Sequence, residues 1–209
     1  MTIRRRQILV LAAGGVFTGA ALAQTPGPFR TVPAPGAERL MLEGHDAVAY
    51  FTQAAAVKGD PAFQTEYAGV SWRFANAAHM TEFLRDPAAY MPQFGGYCSN
   101  GINYAIPGGG GGAPNTWRIY RGRLYVFGGQ SARDHFEMDT ELNIQRAHQY
   151  WDAEVAGSNA PLQRLKRVIF RVPHYLSDAA LQAQWEAMRD AGTLAVMPGA
   201  PQRVPAARP

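Results

Sequence analysis

Few side chains in this sequence have the chemistry to act on a ligand. The single cysteine, Cys98, is both a nucleophile and a soft metal donor. His79 and His45 offer imidazole nitrogens of the kind that bind copper or zinc. Met41, Met80 and Met91 add thioether sulfurs, of which Met80 reads as packing. His45 is followed directly by Asp46, an order that can join a ligand to the carboxylate orienting it. The same aspartate can equally serve only as a cap for the next turn. Cys98 comes shortly after Gly95 and Gly96, which permit close backbone approach. Cys98 with a histidine suits copper or another transition metal better than magnesium or calcium. The plainer alternatives are a packed core cysteine and an exposed helix histidine. Cys98 and His79 would also serve as a nucleophile–base pair if adjacent in space. His135, His148 and His174 show no ligand-like spacing. Neither a Gly-x-Ser-x-Gly elbow nor a His-Glu-x-x-His helix occurs. One cysteine also excludes an internal disulfide or a multi-cysteine zinc site.

The elements that must position these residues follow from periodicity. Alternation predicts a hairpin over 63–68 and 70–75, turning at Gly69, with Val70, Trp72 and Phe74 on one face. Asn76 predicts the cap of a helix over 77–85, with Met80, Phe83 and Leu84 as its apolar stripe and Pro87 as its stop. Another helical turn is expected within 88–94. The run Gly108–Gly112 lacks the Gly-Lys-Ser/Thr of a phosphate cradle and reads as a surface loop. A second hairpin is expected over 117–127. A helix capped by Asp139 or Thr140 should run to about Val155, and another from Ser177 to Ala191. Trp72, Phe74, Trp117 and Tyr125 read as core. The sequence shows no internal repeat by inspection.

The chain has 209 residues, 47% hydrophobic and 17% charged, which excludes a mainly disordered protein. Of the net charge of +4, Arg4, Arg5 and Arg6 supply three, leaving +1 for residues 24–209. A domain this close to neutral has no basic face for nucleic acid. The first 23 residues have the layout of a secretory signal: three arginines, an apolar stretch, then Ala21-Leu22-Ala23 as a small-x-small cleavage site. Arg5-Arg6 with Ile8-Leu9 also fits a twin-arginine address. The expectation is an exported, periplasmic or secreted protein with no membrane span after cleavage. Residues 24–39 form a Pro/Gly-rich linker, 156–196 a helical C-terminal extension, and 197–209 a flexible tail.

Residues 45–98 resemble the YHS domain family, a small metal-associated module. Gly44-His45-Asp46-Ala47-Val48-Ala49-Tyr50-Phe51 looks like its opening motif, and Tyr67-Ala68-Gly69-Val70-Ser71-Trp72-Arg73-Phe74 like its hairpin. Lys58-Gly59, Phe63, Phe83, Asp86-Pro87 and Tyr90 fall at further landmarks. Pro92-Gln93-Phe94-Gly95-Gly96-Tyr97-Cys98 resembles a stretch typical of exported, stand-alone members. In those members a later hairpin follows, matched here by Trp117, Ile119, Gly122, Leu124 and Tyr125, and then Ala147 and Trp151. The likeness spans about residues 40–155. Three cysteines of the metal-binding versions fall here on Ala49, Ala75 and His79, so a thiolate site of that kind is absent.

The resemblance implies an α+β fold: a compact core of two small antiparallel hairpins with packed helices, extended by the C-terminal helical segment. It implies a non-catalytic module that binds a transition metal, copper foremost, for storage, delivery or sensing. Cys98, His79 and His45 are the candidate ligands, and a metal-handling protein is the candidate partner. A metal-free interaction module and a thiol-dependent enzyme are the alternatives.

Overall fold

Tight left-handed turns and short hairpins set the framework. The computed structural model describes residues 40–103, 112–152, 169–170, 172–196, 200 and 202. The expected leader and linker, and most of the glycine run, lie outside them. A turn at Met41–Gly44 leads through His45 and Asp46 to the short helix α1 (Ala49–Thr52). Strands β1 (Asp60–Tyr67) and β2 (Val70–Phe74) pair antiparallel, and α2 (Ala77–Arg85) and α3 (Pro87–Tyr90) follow. A second turn at Gln93–Gly96 leads to α4 (Ser99–Asn103). Strands β3 (Ala113–Tyr120) and β4 (Arg123–Phe127) then pair antiparallel. Helices α5 (Gln130–Glu137), α6 (Thr140–Tyr150) and α7 (Asp178–Asp190) complete the chain. The fold is α+β, with two separate two-stranded sheets and a helical C-terminal part. Among the described residues, no helix is long and apolar enough to cross a membrane.

The structure contains a repeat that inspection of the sequence missed. The register of the first hairpin, bulge included, recurs in the second 53 residues later, Asp60 answering to Ala113 and Tyr67 to Tyr120. Both hairpins turn through a left-handed pair, Ala68-Gly69 and Arg121-Gly122. Both are preceded by a turn with three successive positive φ values, Leu42-Glu43-Gly44 and Phe94-Gly95-Gly96. In each unit a glycine before the hairpin donates to that turn at 2.8 Å: Gly59 N–H to the Gly44 carbonyl, Gly112 N–H to the Gly96 carbonyl. A Cβ on Gly59 would sit 2.6 Å from the Arg73 carbonyl carbon, so only glycine fits there. In both units a helix lays a phenylalanine on the hairpin: Phe83 against Trp72 and Phe74, Phe136 against Tyr125 and Phe127. The turns themselves lie 52 residues apart, and counted from them Asp46 of the first unit answers to Cys98 of the second.

The two units stack. Val70, Trp72, Phe74 and Phe83 of the first pack with Trp117, Ile119, Leu124 and Val126 of the second in one core. Tyr50 ties them, its ring edge-on to Trp117 with centroids 5.0 Å apart and its hydroxyl donating to the Pro114 carbonyl at 2.9 Å. The opposite face of β4 presents Tyr125 and Phe127 to a second core, closed by Ala147 and Trp151. β4 is therefore buried along both faces, whereas β1 is mostly exposed.

Most expected elements are present: both hairpins, α2 capped by the Asn76 side chain, α6 capped by Asp139, and α7 capped by Ser177. Three details differ. Leu84, expected in the buried stripe of α2, is 49% exposed, because Phe83 takes the inward position. Helix α5 was not expected, since its buried residues include Arg133, His135 and Glu137, polar types that give no apolar stripe. The tail, expected to be flexible, is held at its two described residues: Ala200 and Gln202 accept hydrogen bonds from Arg118 and Ile119. The C-terminal helix docks on α5 through Met138, Leu181 and Leu194, with His135 Nε2 bonded to the Gln182 amide oxygen at 3.1 Å.

Candidate functional site

The most completely built polar site centres on Asp46. Its carboxylate is fully buried and has four donors. Oδ1 accepts from the backbone N–H groups of Val48 at 2.9 Å and Ala49 at 3.3 Å, opening α1 as a cap does. Oδ2 accepts from Ala75 N–H at 2.8 Å, at the end of β2, and from His79 Nδ1 at 2.6 Å. The backbone of His79 is fixed independently, its N–H donating to the Asn76 cap at 2.9 Å. Both ends of the histidine are thus held. With a carboxylate facing Nδ1, that nitrogen carries the proton, and in the neutral ring Nε2 presents the lone pair. The side chain is 16% exposed, enough for a ligand to reach it. An imidazole oriented in this way can ligate a borderline cation or accept a proton.

The structure thus joins an acid to an imidazole, but not the pair adjacent in sequence. His45 turns the other way: its Nδ1 bonds to the Leu42 carbonyl at 2.9 Å, and its backbone bridges to Lys58. Asp46 caps a turn and orients a histidine at once, and the histidine is His79. Sequence reading missed this because the partners lie 33 positions apart on different elements.

Cys98 lies elsewhere. It is 7% exposed within the second core, among Phe94, Tyr125, Phe127, Phe136 and Trp151. Its Sγ stands 3.5 Å from where a Cβ on Gly128 would be. Met80 packs on the first core, as expected. Among the described residues no group of three or more His, Cys, Asp and Glu is placed to hold a metal. The described residues therefore do not form a closed metal site. Among them His79 is the imidazole oriented by a carboxylate. No family model, no curated protein and no solved structure matches this chain. The likeness to YHS domains rests on the residues quoted above.

Two further polar features escaped the sequence reading. Arg118 and Glu137 form a buried two-pronged ion pair, Nε to Oε1 at 2.6 Å and Nη2 to Oε2 at 2.9 Å. His148 lies edge-on to Phe94 with centroids 4.9 Å apart. Burial lowers the pKa of His148 from its ordinary value, helped by Arg123 and opposed by Asp152. Since the folded protein disfavours the charged ring, the unfolded state binds the proton more readily. Stability should be full above the ordinary histidine pKa of about 6.5 and fall as the pH drops through the lower folded value. Thermal melts between pH 7.5 and 5 should show this decline, and it should flatten in His148→Gln.

Proposed function

We propose that this chain is an exported, non-catalytic module of the YHS type that handles a transition metal, copper foremost, through His79. One observation carries the reading. The three positions where metal-binding YHS domains have cysteines, Ala49, Ala75 and His79, all meet the Asp46 carboxylate: two donate backbone N–H groups to it and the third its ring. The place that the resemblance assigns to metal is here a carboxylate-oriented imidazole. One protein donor makes an open site, which suits delivery better than storage. The remaining coordination positions then belong to a partner metal-handling protein. Cys98, buried among aromatic rings, takes no part in this reading, and His45 is held by its own turn.

A chelated copper ion with open positions imitates the complex before transfer. Cu(II)–iminodiacetate added below one equivalent to the ring-labelled protein should broaden the His79 imidazole resonances first. His79→Ala should abolish that effect, while Cys98→Ser should leave it unchanged. If His79 keeps its line width while other histidines broaden, the reading fails. What then stands is a metal-free interaction module, for which there is separate support. Ile169 and Phe170 are 62% and 75% exposed, and Leu142 and Leu176 line an open cleft of about 390 Å³ beside α6.

A further inference from the structure

A second site lies at the edge of β3, on the face of the molecule that carries α5. Arg118 and Arg133 both reach beneath this edge, and Glu137 is the carboxylate they share. The side chains of Arg118, Arg133 and Glu137 are 4%, 7% and 6% exposed. Glu137 is fully engaged by Arg118 and lies 4.0 Å from Arg133 Nε, which has no hydrogen-bond partner. Asp134, the neighbouring acid on α5, accepts from the Gln130 amide at 2.6 Å. Among the described residues, two buried guanidinium groups therefore share one carboxylate, leaving a positive charge in a poorly solvated place. Three neutral oxygens lie on other nitrogens of the pair. Arg133 Nη2 donates to Gln130 Oε1 at 2.9 Å and Nη1 to Gln202 Oε1 at 2.7 Å, while Arg118 Nη1 donates to the Ala200 carbonyl at 3.2 Å.

Ala200 and Gln202 of the tail reach this charge from the edge of β3. β3 pairs with β4 on one side only, and on the other its Ile119 N–H donates to the Gln202 carbonyl at 3.0 Å. Gln202 thus takes one backbone hydrogen bond from a sheet edge and places its side chain on Arg133, two of the contacts by which sheet edges capture peptides. Burying a guanidinium is costly unless a carboxylate answers it, and here an amide stands in that position.

We infer that the β3 edge, with Arg118 and Arg133, is a docking site for an extended acidic segment of another protein, occupied in this chain by its own residues Ala200 and Gln202. A glutamate at the Gln202 position supplies the missing negative charge, while its backbone keeps the bond to Ile119. The tail is then a weak internal competitor that an acidic segment displaces. This site is independent of His79, so its test bears on nothing proposed above.

The test uses two labelled peptides with the sequence of residues 198–204, one native and one with Gln202→Glu. Fluorescence anisotropy would measure both against the wild-type chain and against the full-length Gln202→Ala chain, in which the tail holds on less firmly. The acidic peptide should bind the Gln202→Ala chain about tenfold more tightly than the native peptide does, as expected for a charge-assisted bond. It should bind the wild-type chain several-fold less tightly, because the tail competes. A second measurement needs no peptide: Gln202→Glu within the chain should raise the melting temperature by about 2–4 °C. Equal binding of the two peptides, or no rise in melting temperature, would overturn the inference.

Discussion

Glu137→Ala should cost this protein about 3–5 kcal/mol of stability, a large part of the ~5–15 kcal/mol that holds a typical domain folded. Glu137 neutralises Arg118 through two short hydrogen bonds, and both groups are sealed between β3 and α5. Removing the carboxylate leaves Arg118 and Arg133 buried together with no counter-charge, and neither can shed its proton. Urea unfolding would measure the loss. Arg118→Met added to Glu137→Ala should recover part of it, because an apolar group tolerates the same space. A loss under about 1 kcal/mol would mean that water or a displaced tail solvates the arginines.

Asp46→Ala should have the next largest effect, about 2–4 kcal/mol, and for a different reason. Among the described residues no lysine or arginine pairs with Asp46. What it holds is geometry: the start of α1, the end of β2 and the ring of His79. Its loss leaves the N–H groups of Val48 and Ala75 without their acceptor, and Ala49 with only the Asp46 carbonyl at 3.2 Å. Asp46→Asn keeps one good acceptor and should lose less. His79→Ala removes a single partner and should cost about 1 kcal/mol. The ordering Asp46→Ala, Asp46→Asn, His79→Ala in urea midpoints therefore separates scaffold from donor. Equal losses for Asp46→Ala and His79→Ala would place the stability in the Asp46–His79 hydrogen bond itself.

The hairpins and capped helices were legible because their signals are local. Val70, Trp72 and Phe74 alternate within one strand, and Asn76 stands at the residue it caps. Helix α5 was hidden because its inward face carries Arg133, His135 and Glu137, whose burial depends on partners in β3, α7 and the tail. The repeat was hidden because hydrogen-bond register survives where side chains do not. Gly59 and Gly112, Gly69 and Gly122, Phe74 and Phe127, Phe83 and Phe136 agree, while Asp46 faces Cys98 and His79 faces Ala132. The candidate site was half legible. The sequence named His79 and Asp46 separately, but joining them takes the path of the chain from the first turn around the hairpin.

The double-sided burial of β4 makes the second hairpin the middle leaf of a three-layer sandwich. The first unit lends it one lining and α6 the other. In a stack built by nearest neighbours, an end layer has one partner and an inner layer two. Severed from its neighbour, the first unit would expose the apolar surface around Tyr50 and Trp72 that Trp117 and Ile119 now cover. The residues around His79 therefore depend on a hairpin that contributes nothing to them chemically, and the two units stand or melt together.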